Sequence, residues 1–140
     1  VITSKQARER YGDPTTESAM VLFRVPEVLQ LGAIPKRIYC NKDLVAPLTE
    51  ALNNIVARGL ADQVRTWDGC FQIRRTRTGT SASLHSWGLA IDINAAWNGL
   101  GKVPTMSKEL VACFTDAGFE WGGAWKNPDG MHMQLARLPT

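Results

Sequence analysis

Two short segments late in the chain alternate apolar and polar side chains with the two-residue period of a β-strand. In Ala90–Asn94 the polar Asp92 falls between Ile91 and Ile93, and in Met131–Leu135 the pair His132 and Gln134 opposes Met131, Met133 and Leu135. Such alternation describes antiparallel strands with one apolar face. Helical patterns lie elsewhere. Leu44, Val45, Leu48, Leu52, Ile55 and Val56 recur at helical spacing over 43–58. Asp43 is the expected cap, Pro47 falls in the first turn and Gly59 closes the end. A second helix is predicted over 107–117, where Leu110, Val111, Phe114 and Ala117 line one face before Gly118. Strands and helices are segregated rather than regularly alternating. The expected class is therefore α+β, a single domain with a small antiparallel sheet and flanking helices.

Further elements complete this outline. Gln63–Trp67 and Cys70–Arg75, joined by Asp68-Gly69, read as a hairpin. Residues 76–82 read as a polar loop, Phe119–Trp121 as a strand, and Gly122-Gly123 as a turn or bulge. Residues 1–41 are mixed: Tyr11-Gly12-Asp13-Pro14 is a turn signal, and Pro26 and Pro35 interrupt any long helix. This division gives an N-terminal arm over 1–41, able to wrap the domain or meet a partner, and a core over 42–140. With 140 residues the chain supports one domain and buries roughly 68% of its unfolded surface, so it needs no disulfide staples.

Composition excludes several classes. No apolar run approaches the ~20 residues of a membrane-spanning helix. The N-terminus is too polar for a signal peptide and lacks an initiator Met, as expected of a processed chain or a fragment. The net charge of +3 suits an anionic partner but is low for a dedicated nucleic-acid binder. Cys40, Cys70 and Cys113 are widely spaced and form no Cys-x-x-Cys pair, which excludes a thiolate zinc site and a thioredoxin motif. Three reduced, mostly buried thiols are expected, in keeping with synthesis in a reducing compartment.

The chain holds only 2 histidines, each with a carboxylate nearby in sequence. His85 lies in Ser83-Leu84-His85-Ser86-Trp87-Gly88-Leu89-Ala90-Ile91-Asp92, and His132 in Asp129-Gly130-Met131-His132. A catalytic zinc site needs three protein ligands and an open position. His85, Asp92 and His132 supply such a set if His85 sits in a loop, Gly88 turns the chain and Asp92 projects from the following strand. Asp129, three residues before His132, is then placed to act as a general base on water. No nucleophile-elbow pattern supports a Ser-His-Asp alternative.

The pattern Ser-x-His-x-x-Gly-x-Ala-x-Asp, followed by Trp-Gly-Gly and Asp-x-x-His, resembles the zinc D-Ala-D-Ala carboxypeptidase and L-alanyl-D-glutamate endopeptidase family, which includes VanY-type and phage endolysin peptidases and shares its fold with hedgehog domains. The likeness runs from Phe71 to Leu135. It implies one Zn²⁺ held by His85, Asp92 and His132, with Asp129 as the catalytic acid–base residue. It also implies an upstream strand arginine that holds a substrate carbonyl or carboxylate. Arg74 is the choice, with Arg75 and Arg77 as rivals. Ser83 is read as a substrate contact or as support for a ligand side chain.

Many relatives follow the second ligand histidine with an aromatic residue and then Glu. Here Met133 and Gln134 stand instead, and Gln134 is read as a substrate contact that keeps hydrogen-bonding capacity without charge. Trp121 is assigned to packing, while Trp97 and Trp125 are candidates to border the cleft. The implied protein is a monomeric, endolysin-like metallopeptidase of peptidoglycan stem peptides, cleaving L-Ala-D-Glu. It would be made in a bacterial cytoplasm, with a phage gene as one source, and act at the cell wall without nucleic acid or a membrane span. The alternatives are a D,D-carboxypeptidase or dipeptidase on D-Ala-D-Ala stems, and a non-catalytic zinc-fold binding module.

Overall fold

Strand alternation in the second half of the chain builds a four-stranded antiparallel sheet. Its strands are β3 (Trp67–Gly69), β4 (Ala90–Ile93), β5 (Phe119–Trp121) and β6 (His132–Leu135), in the order β3-β4-β6-β5. The computed structural model describes residues 1–76 and 81–140. Register aligns Asp92 with His132, Ala90 with Gln134, and Glu120 with Gln134. Residues directly opposite share a face, so these polar side chains line one side of the sheet. Ile91, Met133, Leu135, Phe119 and Trp121 occupy the other, and all but Trp121 are fully or nearly buried.

Two helices cover the apolar side of the core. In α2 (Val45–Ala57), Leu48, Ala51, Leu52 and Ile55 are completely buried. They pack with α3 (Lys108–Thr115), whose Leu110, Cys113 and Phe114 are buried in turn. Asn54 Nδ2 ties the pair by donating to the Cys113 carbonyl at 3.0 Å. Asp43 does not cap α2. It lies in a short 3₁₀ turn, Lys42–Leu44, whose cap is Asn41, and its own carboxylate accepts from the Tyr11 hydroxyl at 2.6 Å. The Ser107 side chain caps α3 by accepting from the Leu110 N–H.

The predicted 63–75 hairpin does not form. Asp68-Gly69 is not its turn but part of β3, which pairs with β4 through a bulge between Trp67 and Gly69. The segment after Cys70 instead runs beside residues 81–86. Gln72 N–H donates to the His85 carbonyl, Ser83 N–H to the Arg74 carbonyl, and Arg75 bridges to Ala82. The long-range partner offers a more complete set of backbone bonds than the local turn, and it prevails.

Residues 1–41 contribute α1 (Ser4–Tyr11) and a two-stranded antiparallel sheet of β1 (Met20–Arg24) and β2 (Arg37–Asn41). Ala7, Tyr11, Phe23, Ile38 and Cys40 enter the common core. All three cysteines are buried and free. No helix among the described residues is long and apolar enough to cross a membrane.

Candidate metal centre and cleft

His85 is presented by a 3₁₀ turn, Leu84–Trp87. Ser83 caps it, its hydroxyl accepting from the His85 N–H at 3.3 Å. Gly88 ends it with φ +67, and a Cβ there would stand 2.6 Å from the Asn41 backbone nitrogen. Glycine is therefore required both by backbone sign and by close approach. The first 41 residues hold this turn from behind. Asn41 Nδ2 donates to the Trp87 carbonyl at 3.0 Å, Trp87 Nε1 to the Gly12 carbonyl at 2.9 Å, and the Arg8 guanidinium lies over the Trp87 ring.

Asp92 on β4 and His132 on β6 are cross-strand partners, and the turn brings His85 over the same face. His85 Nε2 lies 3.2 Å from Asp92 Oδ2, and His132 Nδ1 lies 3.4 Å from Asp92 Oδ1. The imidazole centroids are 5.0 Å apart. His85, Asp92 and His132 are 2%, 8% and 5% exposed, so almost no solvent serves their polar atoms. Burial pushes the Asp92 carboxyl up, but the adjacent His132 and His85 outweigh it and hold the group well below the usual carboxylate range.

Each histidine has one nitrogen engaged. His85 Nδ1 is 2.6 Å from the Cys70 carbonyl, and His132 Nε2 is 2.8 Å from Gln134 Oε1. The other nitrogens, His85 Nε2 and His132 Nδ1, are buried without a well-formed hydrogen bond. Buried ring nitrogens in that condition are costly unless something binds them. One ligand atom from each of His85, Asp92 and His132 lies within 4.8 Å of the others, so the three could hold a metal ion. Two neutral imidazoles and a carboxylate are a donor set suited to zinc.

A cavity of about 530 Å³ opens in front of His132, with Arg74, Ser83, Trp125, Asp129 and Gln134 in its walls. Asp129 reaches it through a compact loop: its N–H donates to the Gly122 carbonyl at 2.8 Å, and its carbonyl accepts from the His132 N–H at 3.1 Å. A Cβ at Gly122 would stand 2.6 Å from the Asp129 carbonyl oxygen, which explains the first glycine of Trp-Gly-Gly. Arg74 Nη2 is 3.9 Å from Asp92 Oδ2. It comes from the irregular stretch beside residues 81–86, not from the predicted hairpin strand. The sequence also offered Arg77, which lies outside the described residues. Trp125 packs against His132 with centroids 5.3 Å apart. Trp97 does not border this cleft. It lines a second cavity, where Arg65 covers its ring at 4.9 Å. Trp121 is partly buried against the core, and its Nε1 donates to the Gly130 carbonyl at 2.8 Å.

Residues 76–135 match the family model described as D-alanyl-D-alanine carboxypeptidase. This segment is similar to that family. It includes His85, Asp92, Asp129 and His132 together with both glycines that shape their loops. The carboxypeptidase-family match covers a little under half of the chain, and no curated protein or solved structure matches. Sequence reasoning passed over Glu120, whose Oε1 accepts from Gln134 Nε2 at 2.6 Å. Its signal was the strand alternation of Phe119–Trp121, which puts Glu120 on the polar face.

Proposed function

We propose that the protein is a zinc metallopeptidase that hydrolyses a peptide bond of bacterial peptidoglycan stem peptides, with the L-Ala-D-Glu bond as its target. The observation that carries this reading is the convergence of two buried imidazole nitrogens on one carboxylate at the edge of a cleft lined by a second carboxylate. His85, Asp92 and His132 would hold the ion. Bound there, zinc supplies Lewis acidity for activating water and polarising a carbonyl. Asp129 takes the proton of the attacking water and returns it to the leaving amine. The Arg74 guanidinium holds the developing oxyanion or a substrate carboxylate, an electrostatic role favoured by its partial shielding from solvent. Ser83 fixes the His85 backbone and offers the cleft a substrate contact. Any contact Gln134 makes with substrate comes on top of its bonds to His132 and Glu120.

Asp rather than Glu at position 129 favours the phage-type endopeptidases within the resemblance, and with them an endolysin acting at the wall of a bacterial host. The family description favours a second reading, removal of a terminal D-alanine. Digestion of purified peptidoglycan and of soluble D-Ala-D-Ala stems, followed by mass spectrometry of the new termini, separates the two. New D-Glu amino termini from polymeric wall support the endopeptidase. Released D-alanine alone would replace it with the carboxypeptidase. No new termini in either substrate, with zinc present, would leave a binding module.

A further inference from the structure

The polar face of the sheet extends beyond the three clustered residues. Gln134 lies two positions after His132 on β6, and Glu120 is its cross-strand partner on β5, so all three share a face. Gln134 Nε2 donates to Glu120 Oε1 at 2.6 Å, and Gln134 Oε1 stands 2.8 Å from His132 Nε2. An ionised carboxylate only accepts. Glu120 therefore turns the amide NH₂ toward itself and the amide oxygen toward His132. That oxygen also only accepts, and at 2.8 Å it makes a hydrogen bond that Asp92 Oδ1, 3.4 Å from Nδ1, does not, so the proton of a neutral His132 belongs on Nε2. Nδ1 keeps its lone pair, and Nδ1 is the atom that faces Asp92 Oδ1 at 3.4 Å. His85 reaches the corresponding state by a shorter route, through the Cys70 carbonyl on its Nδ1.

We infer that Glu120 is a positioning residue for the metal centre, acting through Gln134 to select the His132 tautomer whose Nδ1 can bind the ion. The inference rests on the reading of His85, Asp92 and His132 as ligands. Outer carboxylates commonly orient ligand histidines directly; here an amide separates the carboxylate from the ring. A Gln134 that merely tied β5 to β6 would do so whichever nitrogen of His132 carried the proton.

Two measurements test this. Long-range ¹H–¹⁵N spectra of the metal-free protein, at mildly alkaline pH, report which His132 nitrogen is protonated. Competition with a chromophoric chelator gives the Zn²⁺ dissociation constant. Wild type is expected to show the Nε2–H form. Gln134→Leu and Glu120→Leu should mix the tautomers and weaken zinc binding by about ten- to hundredfold. The exchange Glu120→Gln with Gln134→Glu, which places a carboxylate acceptor directly on the ring and an amide donor behind it, should restore both. Should Glu120→Leu fail to fold, Glu120→Gln serves, with an intermediate tautomer ratio expected. A Gln134→Leu protein that keeps the Nε2–H form and wild-type affinity would overturn the inference, as would a protein carrying both Glu120→Gln and Gln134→Glu that is no better than Gln134→Leu. Absence of zinc binding in wild type would overturn the ligand reading and the inference with it. A tautomer shift in the same variants would then place the failure in the ligands and not in the relay.

Discussion

Two cavities of nearly equal size lie on this molecule, and they use their polar groups differently. The second, of about 480 Å³, is lined by Gln63, Arg65, Asn94, Trp97 and Ser107. There Asn94 accepts from the Arg65 and Thr66 N–H groups and donates to the Gln63 carbonyl, while the Ser107 hydroxyl meets Gln63 Oε1 at 2.5 Å. Its aromatic surface is covered by Arg65. In the cleft, His85 Nε2 and His132 Nδ1 are buried, lack a good hydrogen bond and converge on Asp92. Volume does not distinguish the two. The distinction lies in buried polar atoms that folding alone leaves under-used.

The comparison can be broken most severely at the ligands. His132→Ala or Asp92→Ala should lower peptide hydrolysis by on the order of 10³ or more, because the Lewis acid is lost with its donors; initial rates on purified wall check this. A milder cut is Asp129→Asn, expected to fold and bind zinc normally while turnover falls by about 10²–10⁴. Full activity in that variant would remove Asp129 from the mechanism. Arg74→Ala should cost about a hundredfold in kcat/KM, with Arg74→Lys recovering only part, since ammonium cannot reproduce the guanidinium fork.

Changes in the second cavity should do little. Trp97→Ala and Arg65→Ala remove one exposed ring–cation contact, worth about 0.5–1 kcal/mol, and should leave hydrolysis within about twofold of wild type. A large loss of activity would make that cavity part of the site. Thiols sharpen the contrast from another side. Burial pushes the Cys40 thiol up to about 12, so it stays protonated in the fold near neutral pH. Its folded value lies above the unfolded one, so its contribution to stability is complete below the ordinary thiol range near 9 and declines toward 12. Native protein should resist alkylation at neutral pH with no loss of activity. Between those limits, denaturant unfolding should show Cys40→Ala losing stability less steeply than wild type, by up to about 1.4 kcal/mol per pH unit.

The parts of this site readable in the sequence are those fixed by local rules. Asp92 and His132 follow from strand alternation, Gly88 from the turn it must close, and α2 and α3 from helical periodicity. What could not be read depends on register or distant pairing. Asp68-Gly69 has the chemistry of a hairpin turn, yet β3 finds its partner in β4. Gln134 reads as a substrate contact, and its tie to the fold emerges only when β5 brings Glu120 beside it. In β1, Val21 and Leu22 are both exposed, so no alternation marks the strand. Helix α1 buries only Ala7 and Tyr11; its one sequence signal was the Thr3–Gln6 capping box.

Metal content is the most direct test of the claim that the cleft is a metal centre. Mass spectrometry of the metal in purified protein, after removal of loosely held ions, should give one zinc per chain for wild type, Asp129→Asn and Trp97→Ala, and essentially none for a His85→Ala, Asp92→Ala, His132→Ala triple variant. Wild-type protein that holds no zinc when supplied with it, or a triple variant that holds as much as wild type, would contradict the account.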